Sequence, residues 1–202
     1  MKKALELKKH LKPGQLYRRA DLIEWSNSID RHLSSLVEDG TLEKLSAGLY
    51  YYPKESVFGK TAPSEANLVF HFLKDDHFLL TSPNDYNSLG VGTTQLYNKR
   101  IVYNHKRHGE FMLGNKMYTF QVKHRFPKKL SQEFLLVDLL NNLESLAEDT
   151  GLILKNVPGK LSTMNLRKFK RDLREYGSLR TKAFFNPLIE KMEPAHGGRL
   201  PS

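Results

Sequence analysis

The stretch Ser28–Pro53, SIDRHLSSLVEDGTLEKLSAGLYYYP, decides which fold is expected for the first part of the chain. From Ile29 onward its apolar residues recur at the spacing i, i+4, i+7 and i+8, which predicts one buried face of an α-helix. Asp39-Gly40 ends this helix, because glycine readily adopts the left-handed cap conformation. Two β-prone runs then flank the turn Ser46-Ala47-Gly48, and they predict a hairpin.

The residues before this stretch supply the remaining parts of a known DNA-binding module. Met1–Leu11 and Arg19–Trp25 are predicted helices, and Gln15–Arg18 is a predicted short strand between them. The order helix, strand, helix, helix, hairpin is typical of a winged helix-turn-helix, which inserts its second paired helix into the DNA major groove. Residues 1–53 are therefore expected to form a DNA-binding domain.

The polar face of the helix that begins after Ser28 provides the candidate DNA contacts. Asn27 suits adenine and Arg31 suits guanine, the commonest side-chain partners of those base edges. The serine hydroxyls and the remaining basic side chains are suited to contact the phosphates of the DNA backbone. The alternative is a helix-turn-helix that binds another protein and leaves this face in water. The expected DNA contacts are Arg18, Arg19, Ser26, Asn27, Ser28, Arg31, His32, Ser35 and Lys44.

The chain is strongly basic, but the excess charge is unevenly distributed. Its 202 residues carry a formal charge of +10, of which residues 1–53 hold +2 and residues 54–202 hold +8. Such a balance favours a polyanionic partner, with nucleic acid ahead of a membrane surface, although a solvated basic surface is the alternative. Further nucleic-acid or partner contacts are expected at Lys99, Arg100, Lys106, Arg107, Arg167, Lys168, Lys170, Arg171 and Arg174.

The rest of the chain is expected to be a mixed α/β domain with a small sheet and C-terminal helices, so the predicted class is α+β. Residues 54–62 are a predicted linker, 63–193 the second domain and 194–202 a flexible tail. The predicted elements are a helix opening at Pro63–Glu65, strands at 78–81, 99–104, 109–113 and 116–123, a long apolar helix capped by Ser131, and a last amphipathic helix from about Ser162 to Gly177.

The composition and motifs do not predict an enzyme. The chain has no cysteine, which removes thiolate metal sites, thiol nucleophiles and disulfides. Neither a phosphate-binding loop nor a nucleophile elbow is present, and His105 and His108 lie in a basic context poor in further ligands, so no metal or other cofactor is expected. No apolar run is long enough for a signal peptide or membrane span, and a cytoplasmic protein is expected.

Several short motifs together carry a resemblance to a known family. They are Arg19-Ala20-Asp21-Leu22, Arg31-His32-Leu33, Leu36–Leu42, Gly48-Leu49-Tyr50, Thr61–Glu65, Phe78–Thr81, Asn87–Val91, Arg100–Tyr103 and Leu113-Gly114-Asn115. Over roughly the first 140 residues the sequence resembles the AbiEi-type antitoxins of type IV toxin–antitoxin systems, and the likeness is one of overall fold more than of any single motif.

The resemblance implies a bacterial antitoxin with two activities. Its winged-helix domain would repress its own operon by binding inverted repeats in double-stranded DNA, and its antitoxin-type domain, residues 63–193, would antagonise a nucleotidyltransferase-type toxin. No catalytic residues are implied. Two other functions stay open from the residues themselves: a stand-alone winged-helix repressor, and a basic RNA-binding or nuclease protein that uses the second half of the chain.

Overall fold

The computed structural model describes residues 2–192, with side chains from residue 6 onward, so the predicted tail at 194–202 lies outside the described residues. The described chain is an α+β protein that divides into two compact units, each built from two separate stretches. The predicted linker at 54–62 lies inside the first unit and does not separate the two. Among the described residues, unit 1 comprises 2–80 and 100–122, and unit 2 comprises 81–99 and 123–192.

Unit 1 begins with the elements predicted for residues 1–53, in the predicted order. The elements are α1 (Lys2–Lys9), β1 (Gln15–Arg18), α2 (Arg19–Leu22), a 3-10 turn (Ile23–Trp25), α3 (Ile29–Glu38), β2 (Glu43–Ser46) and β3 (Leu49–Tyr52). The three strands form an antiparallel sheet in the order β1-β3-β2, in which Tyr50 of β3 lies between Tyr17 of β1 and Lys44 of β2.

The apolar stripe of α3 is buried as its periodicity predicts. Leu33 is fully buried against α1 and α2, and the helix ends where Asp39 donates its backbone N–H to the Ser35 carbonyl, 3.0 Å away. Gly40 follows with a φ of 74°, the left-handed conformation that glycine adopts most easily. This core also holds Leu7, Leu11, Leu22, Ile29, Leu36, Leu42 and Tyr50.

The predicted linker is a small hairpin of β4 (Glu55–Ser56) and β5 (Gly59–Lys60). The Ser56 hydroxyl accepts the Phe58 N–H and donates to the Gly59 carbonyl at 2.7 Å, which closes the turn locally. Lys60 Nζ donates to the Gly40 carbonyl at 2.7 Å and so ties the hairpin to the end of α3. A polar, glycine-containing stretch thus forms a hairpin where a linker was expected.

The remainder of unit 1 is a helix and a four-stranded sheet in the order β6-β7-β9-β8. Strand β7 runs parallel to β9, and β8 and β9 form an antiparallel hairpin around Gly114-Asn115, which confirms the predicted turn. Ser64 caps the helix by accepting the Asn67 N–H at 3.3 Å. The elements are α4 (Glu65–Leu73), β6 (Phe78–Thr81), β7 (Arg100–Asn104), β8 (Gly109–Leu113) and β9 (Lys116–Val122).

The two sheets of unit 1 share one core. Leu45 and Tyr51 of the three-stranded sheet belong to the same buried cluster as Val102 and Phe120 of the four-stranded sheet. The Gly114 N–H also donates to the Leu45 carbonyl at 2.7 Å. Residues 1–53 are therefore not a free-standing domain, because part of their apolar surface is covered by strands that come much later in the chain.

Unit 2 is mostly helical. The last amphipathic helix, predicted from about Ser162 to Gly177, begins at Leu166, and a further helix follows it. Two helices were not predicted, because Pro158 and Pro187 lie inside them and proline usually marks a helix boundary. The elements are a 3-10 helix (Pro83–Leu89), α5 (Gln132–Asn142), a second 3-10 helix (Leu143–Ser145), α6 (Thr150–Ser162), α7 (Leu166–Tyr176) and α8 (Leu179–Met192).

None of the helices in residues 2–192 has the length and apolar character needed to cross a bilayer.

Candidate nucleic-acid interface

The N-terminal end of α3 and the turn before it bring five of the predicted DNA contacts together, and they are Arg19, Ser26, Asn27, Ser28 and Arg31. Asn27, Ser28 and Arg31, called here the α3 tip, line a depression of about 510 Å³ with neighbouring residues. Asn27 and Arg31 are exposed, and within the described residues neither side chain has a hydrogen-bond or ion-pair partner. Ser28 occupies the N-cap position without a side-chain cap bond. The α3 tip therefore offers unengaged donors and acceptors to a ligand.

His32 does not lie on this exposed face, which contradicts the position predicted for it from the sequence. Its side chain is only 8% exposed, and its Nδ1 lies 2.6 Å from the Ser26 hydroxyl. On an α-helix successive residues are about 100° apart, so a residue three positions after Ile29 falls beside the apolar stripe. Ser26 is engaged with His32, and its hydroxyl also accepts the Ser28 N–H at 3.2 Å. Both residues shape the turn before α3.

The two arginines predicted to meet phosphates are paired with acids. Arg18 donates to Asp21 at 2.7 and 2.9 Å, and Arg19 donates to Asp30 at 2.5 and 2.6 Å. The hydrogen bond from Arg19 holds the pKa of Asp30 below its ordinary value. All four side chains are at least partly exposed, and exposed ion pairs exchange readily for other partners.

The turn between β2 and β3 lies beside these arginines. The Arg19 backbone N–H donates to the Gly48 carbonyl at 2.8 Å, which ties Ser46-Ala47-Gly48 to the start of α2. Lys44 projects from β2 with an exposed side chain and no ion-pair partner among the described residues. Ser35, another predicted contact, is half-buried on the flank of α3.

Two of the basic residues predicted around position 100 are engaged elsewhere in unit 1. Glu65 accepts from Arg100 at 2.9 Å and from Lys116 at 2.7 Å, while Lys106 pairs with Asp75 at 3.0 Å. Burial raises the pKa of Glu65, but the hydrogen bonds from Lys116 and Arg100 outweigh it, and the net pKa is lowered. Arg100 and Lys106 thus connect elements of unit 1 through ion pairs, and their expected contact with nucleic acid or a partner stays a prediction.

Arg107 and Lys99 differ from this pair. The Arg107 guanidinium lies over the Phe72 ring, with its central carbon 4.6 Å from the ring centroid, and it has no acidic partner in residues 2–192. Lys99 is exposed at the edge of unit 2. The remaining predicted cations of this region therefore fall in different units.

The basic residues of α7 form an exposed row in unit 2. Arg171 pairs with the adjacent Asp172 at 2.9 Å and Arg174 with Glu175 at 3.4 Å. A groove of about 610 Å³ lies between α7 and α8, and it also contacts Leu173 and Ile189. Four of the five predicted cations contribute to this groove. They are Arg167, Lys170, Arg171 and Arg174, whereas Lys168 is exposed outside it.

The histidines considered as metal ligands form no such site in the described part of the chain. His105 stacks on His77 with ring centroids 4.8 Å apart. Within residues 2–192 no group of three or more His, Asp or Glu side chains is close enough together to hold a metal ion.

Asp30 is the residue of this surface that sequence reasoning missed. It stands in the first turn of α3, where an acid is expected merely to favour the helix dipole. Its partner Arg19 is eleven positions away on another helix, so no helical spacing links the two. Asp30 nevertheless lines the same depression as the α3 tip.

Comparisons with known proteins bear on the fold. No model of a known protein family matches the chain, and no curated protein matches it. Among solved structures, the chain is similar to the Rv2827c protein from Mycobacterium tuberculosis, with a TM-score of 0.60 and 13% sequence identity. The match covers 94% of this chain and 77% of the other. At this identity the likeness concerns the fold alone.

Proposed function

We propose that the protein is a winged-helix DNA-binding regulator that recognises its operator through the α3 tip. The observation that supports this most directly is that Asn27 and Arg31 are exposed and unengaged at the N-terminal end of α3. In a helix-turn-helix this end of the recognition helix reads base edges, and Asn and Arg suit adenine and guanine. The neighbouring Lys44 would contact backbone phosphates.

The ion pairs of Arg18 and Arg19 are compatible with DNA binding, because each arginine could exchange its carboxylate partner for a phosphate when DNA is present. Arg18 and Arg19 are held by Asp21 and Asp30, and a phosphate could replace either carboxylate at little cost, since exposed pairs contribute about 1 kcal/mol or less. The near-neutral charge of residues 1–53 is then no obstacle, because specificity would depend on a few directed side chains.

The direct test compares a duplex from the protein's own promoter with a scrambled duplex of equal length and composition. Full-length protein and labelled duplexes would be titrated by fluorescence anisotropy at several salt concentrations. The proposal expects tighter binding to the promoter, because base contacts add to the phosphate contacts. Equal affinity for both duplexes would rule out operator recognition.

We further propose that unit 2 serves an antitoxin activity in the cytoplasm, as the resemblance to AbiEi-type antitoxins implies. The basic groove between α7 and α8 supports an anionic partner, since five basic residues line it and Glu190 is the one acid among its lining residues. A nucleotidyltransferase-type toxin, or the nucleic acid such a toxin handles, would fit that chemistry.

A gene adjacent to the coding sequence provides the test of this second activity. If it encodes a nucleotidyltransferase, co-expression with the full chain should restore growth that the enzyme alone suppresses. Reversing the charge of Arg167 and Lys170 should weaken this rescue, whereas Asn27→Ala should leave it intact and affect only promoter binding. Rescue unaffected by the α7 variants would remove the groove from the mechanism.

A further inference from the structure

A second basic surface lies within unit 1, beside the hairpin turn. A cleft of about 470 Å³ is bordered by the turn Ser46-Ala47-Gly48 on one side and by residues of α4 and β8 on the other. Four cations line it, and we call it the basic cleft. They are Arg18, Arg19, Lys74 and Arg107.

Two of these cations carry uncompensated charge. Arg18 and Arg19 are paired with Asp21 and Asp30, but Lys74 and Arg107 have no acidic partner in residues 2–192. Asp21 and Asp75 are bonded to Arg18 and Lys106, and Asp76 borders with Lys74 an adjacent depression without lining this cleft. The cleft therefore presents positive charge to any anion that enters it.

Lys74 occupies an unusual backbone conformation at the mouth of the cleft. With a φ of 54° it is the single non-glycine residue of positive φ within residues 2–192, and its N–H donates to the Phe70 carbonyl at 2.8 Å. Glycine or asparagine is the ordinary choice at such a helix cap. Strained conformations of this kind concentrate at binding sites, and here the strain accompanies an unpaired cation.

Arg107 is oriented by aromatic rings instead of by a carboxylate. Its guanidinium carbon lies 4.6 Å from the centroid of Phe72 and 5.9 Å from that of Phe111. Stacking on a ring fixes the plane of the guanidinium but leaves its charge uncompensated and its N–H donors available. A guanidinium held in this way is suited to donate two hydrogen bonds to a phosphate.

The basic cleft is continuous with the surface around the α3 tip. Arg19 lines both the cleft and the depression that contains Asn27 and Arg31. We propose that the basic cleft binds phosphodiester groups of the same DNA duplex whose bases the α3 tip reads, with Lys74 and Arg107 as the principal contacts. The inference rests on the proposed DNA-binding function and extends the footprint from α3 across the hairpin turn to α4 and the β7–β8 loop.

The most informative variant is Lys74→Gly, because it removes the positive charge and also relieves the strain of the left-handed backbone conformation at this position. The folded protein should be at least as stable to heat as the wild type, so any loss of binding cannot come from unfolding. Arg107→Gln would be combined with it. The control for the loss of one cation is Lys54→Gln, which is compared with Lys74→Gly alone. Lys54 contacts Gly14 and follows the end of β3 that lies away from the hairpin turn.

The experiment measures the affinity of the full-length protein for promoter and scrambled duplexes between 50 and 300 mM salt. The double variant should lose several-fold affinity for both duplexes alike, and the slope of log K against log salt should fall by roughly 0.9 for each lost phosphate contact. Lys54→Gln should keep the wild-type slope. Unchanged slope and affinity in the double variant would overturn the inference even if promoter preference persists.

Different results would refute operator recognition by the α3 tip and phosphate binding by the basic cleft. If the wild type binds both duplexes equally, operator recognition fails, but a reduced slope in the double variant still supports the cleft. If the double variant loses affinity for single-stranded RNA while duplex binding is unchanged, the cleft is an RNA site and the inference is wrong. Wild-type protein that binds no duplex at 50 mM salt would refute both.

Discussion

The Arg19 guanidinium donates two hydrogen bonds to the Asp30 carboxylate, at 2.5 and 2.6 Å, and so connects α2 to the first turn of α3. Asp30 thereby places a negative charge on the surface proposed to face DNA. Asp30→Asn should raise duplex affinity by roughly 3- to 10-fold at low salt, because it removes that charge and frees Arg19 for a phosphate.

The control for this variant is Glu6→Gln, which makes the same change in net charge on α1. If both variants raise affinity equally, the gain reflects overall charge and not the Arg19–Asp30 pair. A loss of promoter preference in Asp30→Asn would instead assign Asp30 to base recognition, since a carboxylate can accept from cytosine.

Truncation of Arg31 and truncation of Lys44 should change DNA binding in different ways. Arg31→Ala should reduce discrimination between promoter and scrambled duplex by about 1–3 kcal/mol, the range for a lost bidentate base contact. Lys44→Ala should weaken binding to both duplexes alike. Competition titrations with single-base operator variants provide the measurement, and an unaltered base preference in Arg31→Ala would exclude a base-reading role.

His32 should matter for stability and not for direct contact with DNA. His32→Ala removes a buried ring and leaves the Ser26 hydroxyl without its partner at 2.6 Å, so the free energy of unfolding should fall by about 1–3 kcal/mol. Ser34→Ala, an exposed change on the same helix, should be nearly neutral. Urea unfolding checks both, and a neutral His32→Ala would contradict the buried hydrogen bond.

Glu65 should make the protein sensitive to acid. Its pKa is lower in the folded than in the unfolded chain, because the hydrogen bonds from Lys116 and Arg100 outweigh the effect of burial, so its contribution is present above its unfolded pKa and is lost as pH falls through the folded pKa. Glu65→Gln should therefore destabilise the protein at pH 7 and differ less from wild type in the acid range. Unfolding at pH 7 and pH 4 tests this, with exposed Glu24→Gln as the control.

A fragment ending at Pro53 should not unfold cooperatively. Cutting there would expose Leu16, Leu45, Leu49 and Tyr51, which pack in the core shared with the four-stranded sheet. At about 1.5–3 kcal/mol for each side chain, this loss is comparable to the whole stability of a typical domain. Thermal melts by circular dichroism should show a broad change for the fragment and a cooperative one for the full chain.

Local patterns predicted the early elements well, and the shared core explains what they missed. The apolar spacing from Ile29 and the turn around Gly48 predicted α3 and the β2–β3 hairpin, because both depend on neighbours in sequence. The parallel pairing of β7 with β9 and the contact of Gly114 with Leu45 depend on residues far apart, and no local period encodes them. The domain boundary was misplaced for this reason.

In the candidate site, too, the features that depend on neighbours in sequence were predicted, and those that depend on distant residues were missed. Exposure of Arg31 follows from helical geometry, because it lies off the apolar stripe of α3, whereas Asn27 lies in the polar turn before the helix. Both residues are exposed as expected. His32 was misassigned because a polar residue at the edge of the apolar stripe can be buried if it finds one partner. Arg19, Arg100 and Lys106 lie in ion pairs whose distant members only the tertiary structure brings near, whereas the partner of Arg18 is only three residues away.

Each unit is built from two separate stretches of chain, and this limits how the protein can be cleaved or fused to other proteins. The chain passes from one unit to the other after residues 80, 99 and 122, so no single cleavage releases either unit intact. A gene fusion that joins the first fifty residues to a different partner would inherit an incomplete core. A rearrangement that moved the α3 tip into another protein would therefore have to carry at least residues 1–122 together.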